Sequence, residues 1–155
     1  MKKTNALRIL DQHKIKYEVV EYEYEDNHVS KDNIFQSELS PEHIYKTIVL
    51  KATHGYIVCC IPVLEEIDLK KLARESGNKS VEMVHQKDLL NLTGYIRGGC
   101  SPVGMKKKFP TYFQQDMKDL ELVAVSAGKQ GMQMILKPID LLNIVEGKYV
   151  DVIKK

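Results

Sequence analysis

The chain has 155 residues, of which 43% are hydrophobic and 28% charged, enough apolar content for a buried core and too much for a disordered segment. A formal net charge of +2 gives no bulk signal of a nucleic-acid binder, and no run approaches the roughly 18 apolar residues of a membrane-spanning helix. Cys59, Cys60 and Cys100 form no C-x-x-C pair and fit a reducing compartment, while MKKTNALRIL turns polar too soon for a signal peptide; a cytoplasmic protein is expected.

In chain order, Thr4 can cap a first helix with the apolar stripe Ala6, Leu7 and Leu10. IKYEVVEY alternates as a strand, and residues 28–40 are expected to hold a short helix. Ser40-Pro41-Glu42 reads as a cap followed by proline at the first helical position. YKTIVLKA and YIVCCIPV are β-rich runs separated by THG, a hairpin signature. Asp68 caps LKKLARES, which Gly77 ends. VEMV is a short strand, and HQKDLLNL is a helical segment stopped by Gly94. TYF, LELVAVSA and GMQMILK complete the strands, with GKQG as a turn, and Pro138 opens a closing helix, IDLLNI. Hairpins outnumber βαβ units, so one α+β domain over residues 1–155 is expected, with a mixed, mostly antiparallel sheet and helices outside.

Two features carry candidate chemistry. In IYKTIVL, Lys46 shares a face with Ile44, Ile48 and Leu50. An ammonium in that row is either a strand-end group whose stem packs while its head reaches water, or the charged mouth of a pocket that holds an anion or a polarised carbonyl. GYIRGGCSPVG, residues 94–104, is the second. Gly98 and Gly99 can aim successive N–H groups at one point, suiting a carbonyl oxygen that gains charge; the same glycines also serve a plain turn. Lys106, Lys107 and Lys108 follow at once, as a phosphate-contacting patch or as solvated surface. Cys100 has no local histidine to activate it as a nucleophile. The five histidines lack metal-ligand spacing, and no metal or organic cofactor is implied.

IYKTIVL, PVLEEIDLKKLA, TGYIRGGCSPVGMKKKFP and VSAGKQGMQMILKPIDLL occur in an order and spacing that resemble YbaK-type proteins. These are stand-alone aminoacyl-tRNA deacylases related to the editing domain inserted in bacterial prolyl-tRNA synthetase, and the likeness covers residues 4–152. The resemblance implies a sheet closing into an irregular barrel flanked by helices. It also implies hydrolysis of the ester between a wrong amino acid and the tRNA 3′ end, foremost Cys-tRNA(Pro). A single site separates near-isosteres by only about 1–3 kcal/mol, so a second, hydrolytic sieve is physically reasonable.

By position, the resemblance implies that Lys46 holds the backbone or ribose–phosphate end of the aminoacyl-adenosine. Gly98, Gly99 and Ser101 would present amides to the ester carbonyl, Gly104 would shape the wall, and Tyr22 would be a pocket tyrosine. The substrate's own thiol would attack its ester, and Lys106, Lys107 and Lys108 would contact the tRNA backbone. The chain departs from the pattern at Gln133, where a carboxylate able to meet the substrate amine is replaced by an amide, at Val29 for an aromatic, and at Cys100 for an aliphatic. The leading expectation is a trans-editing deacylase of tRNA, with prolyl-tRNA synthetase as a candidate partner. The competing expectation is a non-catalytic tRNA- or nucleotide-binding or regulatory module.

Overall fold

The structure is a computed structural model and describes residues 2–23 and 39–155. The expected helix over residues 28–40 lies, but for its last two positions, outside the described residues. The first helix, α1, spans Asn5–Gln12; the Thr4 hydroxyl accepts from the Leu7 N–H at 3.2 Å, and Ala6, Leu7 and Leu10 are buried. Strand β1 is Glu18–Glu21. A 3-10 turn at Pro41–His43 stands where Ser40-Pro41-Glu42 signalled a helix start.

Strands β2 (Tyr45–Lys51) and β3 (Tyr56–Pro62) form the expected hairpin, with Lys46 opposite Ile61. Helix α2 (Leu69–Ser76) starts at Asp68, whose carboxylate accepts from the Lys70 and Lys71 N–H groups at 3.1 Å. It ends at Gly77, in the left-handed conformation that glycine adopts without a Cβ clash. Strand β4 is Glu82–Met83, helix α3 is Gln86–Thr93, and strand β5 is Thr111–Gln114. After a 3-10 turn (Gln115–Asp119) come β6 (Val123–Lys129), β7 (Met132–Leu136), α4 (Pro138–Ile144) and β8 (Lys148–Val150).

The strands make two sheets, ordered β1-β7-β6 and β4-β2-β3-β5-β8. Most pairings are antiparallel, but β5 runs parallel to both β3 and β8, so the mixed α+β reading holds. Strand β8 has no counterpart in the sequence reading. It approaches β5 closely because Gly147 leaves room for the Phe113 ring, which a Cβ would meet at 2.5 Å.

The expected barrel is not there. A barrel requires an unbroken ladder from last strand to first, whereas these sheets meet at a lone parallel bridge between Ile44 and Ala124. The Pro41–His43 turn leaves only Ile44 extended ahead of β2, too little to continue a ladder.

Strand β3 is buried on both faces. Val58 and Cys60 pack into the core that includes α1, while Ile57, Cys59 and Ile61 pack into a second core under α2. Strand β2 divides likewise, sending Tyr45 and Val49 to the first and Leu50 to the second. Among the described residues, no helix is long and apolar enough to cross a membrane.

Candidate functional site

The seam between the sheets holds a hollow of about 120 Å³. One wall is the start of β2, with Lys46 and Thr47; another is the β6–β7 face, with Ser126 and Gln133; Tyr22 and Gly98 close it. The pairing explains the convergence. Ser126 is the register partner of Gln133, so their side chains leave the sheet on one side. Val20 also pairs with Gln133, and the Tyr22 N–H donates to the Gly131 carbonyl at 2.8 Å, which brings Tyr22 to the hollow's edge. Sequence separation is therefore no guide to proximity here.

Lys46 lies on β2 in the same row as Ile48 and Leu50, and is half-buried. Burial pushes its pKa below the ordinary lysine value, opposed by the carboxylates of Glu66 and Glu65. Besides the small hollow it borders two larger ones, of about 700 Å³ and 480 Å³. It is the junction of all three.

The glycine loop is held by its neighbours. Tyr95 donates its hydroxyl to the Val103 carbonyl at 2.6 Å, and Gln130 donates its side-chain N–H to the Arg97 carbonyl at 2.8 Å. Gly98 has φ +82°, a conformation that explains glycine at this position. Lacking a side chain, it can line the hollow only with main chain. Among the described residues, the N–H groups of Gly98 and Cys100 have no protein acceptor, whereas that of Gly99 donates to the Ile96 carbonyl at 2.9 Å.

Gly99 and Ser101 are not among the residues lining the hollow. A Cβ at Gly99 would stand 2.8 Å from the Gln130 nitrogen, so this glycine seats the loop on the β6–β7 turn. Ser101 is 0% exposed, and its hydroxyl accepts from the Val103 N–H at 3.2 Å. Both brace the loop from behind.

Gln133 is only 9% exposed, yet its amide makes no hydrogen bond among the described residues. The amide is not sealed off, since among the described residues the buried side-chain polar atom without a partner is the Tyr45 hydroxyl; it stays open to the hollow, where it can meet a polar ligand group. Cys100 also borders the hollow, but burial pushes its thiol up to about 12, leaving almost no thiolate at neutral pH. That disfavours it as a nucleophile.

Other expected residues lie elsewhere. Gly104, at φ +81°, faces Asn5 and the Tyr95 hydroxyl; with Lys107 and Lys108 it lines a different hollow, against Ile144 and Val145. Lys108 pairs with Glu146, and the Lys106 stem covers Gly94. All three lysines are exposed and none lines the hollow at Lys46. Val29 lies outside the described residues.

The sequence reading missed Thr47, Ser126 and Arg97. Period-two alternation on β2 and β6 would have placed the first two on particular faces, though not on a shared cavity. Arg97, beside Gly98, was legible as a cation within the loop.

Residues 33–144 match the aminoacyl-tRNA editing domain family. A protein of Enterococcus faecalis, provisionally named Cys-tRNA(Pro)/Cys-tRNA(Cys) deacylase EbsC, is 45% identical over 155 residues, which cover 99% of this chain and 94% of that protein. Proline–tRNA ligase of Staphylococcus aureus is 29% identical over 94 residues, 61% of this chain and 16% of the ligase. A crystal structure provisionally described as a trans-editing enzyme for prolyl-tRNA synthetase shares the fold, with TM-score 0.85, 21% identity and 100% of both chains covered. With its model spanning most of the sequence and a relative alike from end to end, the chain belongs to the aminoacyl-tRNA editing domain family.

Proposed function

We propose that the chain, acting as one domain over residues 1–155, is a trans-editing deacylase that releases a small, wrongly attached amino acid from tRNA. Cysteine on proline tRNA is the leading substrate, and the cytoplasm the place of action. The observation that carries this reading is the composition of the small hollow: a half-buried ammonium, a glycine main chain with an unused N–H, and the Gln133 amide around about 120 Å³. That is the smallest of the three hollows that Lys46 borders, and its size suits a small acyl group.

In this reading the aminoacyl group enters the hollow. The Gln133 amide oxygen accepts from the substrate's α-ammonium, and Tyr22 borders the side chain. Lys46 holds the ribose–phosphate side at the mouth. The N–H groups of Gly98 and Cys100 receive the ester oxygen as it becomes an oxyanion, while Gly99 and Ser101 hold those donors in place.

For a cysteinyl ester no protein nucleophile is required. The substrate sulfur forms a bond to its own carbonyl carbon, the bond to the ribose oxygen breaks, and the thiol proton passes to that oxygen; the amino acid leaves as a cyclic thiolactone. Holding sulfur and carbonyl in line is the protein's contribution. The name carried by the Enterococcus faecalis relative supports this substrate, and the likeness to proline–tRNA ligase supports prolyl-tRNA synthetase as partner.

The test is a panel of Cys-, Ala- and Ser-tRNA(Pro), with and without prolyl-tRNA synthetase. Release of cysteine, reduced about 100-fold or more in Lys46→Ala, is expected. RNA binding without turnover on any ester would replace the enzyme with a binding module, and full activity in a folded Lys46→Ala would remove Lys46 from the site.

A further inference from the structure

Charge is unevenly placed along this chain. Residues 1–10, 94–109 and 122–133 hold eight of the 23 lysines and arginines and none of the 21 aspartates and glutamates. With a net charge of only +2 overall, the remainder of the protein is net acidic. The fold draws the three acid-free segments onto one surface. The Thr4 hydroxyl donates to the Ala127 carbonyl, and the Asn5 side-chain amide donates to the Gly104 carbonyl at 3.0 Å. The start of α1 is thereby tied both to the end of β6 and to the glycine loop. A Cβ at Gly99 would stand 3.2 Å from the Lys129 Cα, and one at Gly128 would stand 2.9 Å from the Tyr95 ring and 3.5 Å from the Thr4 Cβ.

Neighbouring acids neutralise this surface only in part. Asp11 pairs with Lys3, and Glu146 with Lys108. Lys2, Arg8, Lys106, Lys107 and Lys129 are exposed and have no carboxylate partner among the described residues. Its other properties narrow the partner. Of the large apolar side chains exposed among the described residues, Ile96 alone lies on these segments, too little for a membrane surface or an apolar docking partner. Its aromatic rings offer no platform for unpaired bases: Tyr95 is buried, and Phe109 is half-buried with its ring edge-on to Tyr56 at 5.9 Å between centroids. What remains is a set of ammonium and guanidinium groups, which suits the phosphates of a duplex better than a splayed single strand.

We infer that this face binds the backbone of double-stranded RNA, the acceptor stem of the tRNA whose acyl end enters the small hollow, through Lys2, Arg8, Lys106, Lys107 and Lys129. For the identity of that RNA the inference rests on the deacylase reading. The face adjoins the site directly, since Gly98 lines the hollow while Gly99 lies on Lys129. In place of the contiguous run Lys106, Lys107 and Lys108, the fold assembles a surface from three separated segments. It leaves out Lys108, which Glu146 engages.

The experiment measures fluorescence anisotropy of a labelled, blunt-ended RNA hairpin against the full-length protein at several salt concentrations, beside cysteine release from Cys-tRNA(Pro). Arg8→Ala/Lys129→Ala is expected to weaken hairpin binding about tenfold and to flatten the salt slope by about 1.8, two duplex phosphate contacts. Arg8→Lys/Lys129→Arg keeps both charges and should keep the slope. Arg74→Ala/Lys79→Ala removes the same charge from exposed positions on α2 and just beyond it. It should stay within about twofold of the parent, because charges remote from the contact are screened. An unchanged slope in Arg8→Ala/Lys129→Ala, or equal losses in both alanine pairs, overturns the face. Tighter binding of a single strand of the same sequence overturns it too, as does a loss seen only with anionic phospholipid vesicles. Failure of the deacylase reading looks different: the parent releases no amino acid, while Arg8→Ala/Lys129→Ala still flattens the hairpin slope.

Discussion

Ser126 and Gln133 face each other across the β6–β7 ladder, and their side chains line the same hollow from one sheet. The serine is occupied, because its hydroxyl accepts from the Gly128 N–H at 3.2 Å. The glutamine is not. Gln133→Leu removes an amide that makes no hydrogen bond among the described residues and borders the hollow, so stability should change by less than about 1 kcal/mol. The same variant should lower kcat/KM for cysteinyl ester about 10- to 100-fold, as expected for a lost hydrogen bond to a charged amine. Thermal melts and single-turnover deacylation check the two halves. A large loss of stability would mean that the amide serves the fold instead.

The pH response of Lys46 has a definite sign. Burial lowers its pKa, so the ammonium is lost at a pH below the 10.5 of an ordinary lysine. Binding of a hydrolysis-resistant amide analogue of the aminoacyl-adenosine 5′-phosphate should therefore weaken on the alkaline side with a midpoint under that value. Lys46→Arg should abolish that dependence, since guanidinium stays protonated. A midpoint at or above 10.5, followed by calorimetric titration, would contradict the burial argument.

Gly99 should be intolerant for a steric reason. A methyl group there meets the Gln130 nitrogen at 2.8 Å and the Lys129 carbonyl carbon at 3.0 Å, both main chain. Gly99→Ala should cost about 1–3 kcal/mol, or roughly 2–10 °C in Tm at about 2–4 °C per kcal/mol, and should move the loop off the turn. Deacylation should fall by more than the loss of folded protein explains. Equal losses would limit Gly99 to a structural part.

Tyr45 makes the opposite prediction. It is 3% exposed, and its hydroxyl has no hydrogen-bond partner among the described residues. Tyr45→Phe deletes an unsatisfied group from the core at almost constant volume and should raise stability by about 1 kcal/mol. Denaturant titration measures it; destabilisation would show that the phenol has a partner in solution.

The three cysteines should be nearly inert in the native protein. Cys60 and Cys100 are both pushed up to about 12 by burial, and Cys59 is raised for the same reason. Because the folded values exceed the 9.0 of a free thiol, their contribution to stability is intact below pH 9 and is lost as pH rises towards 12. Alkylation by iodoacetamide at pH 7 should be slow until the chain is unfolded. Rapid labelling of Cys100 in the native state would reopen its case as a nucleophile.

Much of the fold was legible because its signals are local. Thr4, Asp68 and Gly77 mark helix ends by hydrogen bonds or backbone angles within a turn of themselves, and THG sets a hairpin. What was not legible depends on distant partners. Strand β8 exists because Gly147 meets Phe113, and the sheets stay open because, among the described residues, the ladder bridge between them is Ile44 with Ala124 alone. The site divides the same way. Alternation on β2 gave the face of Lys46, but the direction of the glycine loop depends on Gln130 and Tyr95, contacts no periodicity reports. Thus Gly98 reached the hollow while Gly99 and Ser101 turned away from it.

The seam at Ile44 and Ala124 carries one more implication. Tyr22, Ser126 and Gln133 ride on one sheet or its margin, and Lys46 and Thr47 on the other, so the bore of the cavity is the gap between two sheets that share one core. A slight slip between them would widen that gap while leaving each ladder intact. Because the two sheets share one apolar core, accuracy in choosing small residues and resistance to heat are linked: a looser joint would yield a protein both less discriminating and less sturdy.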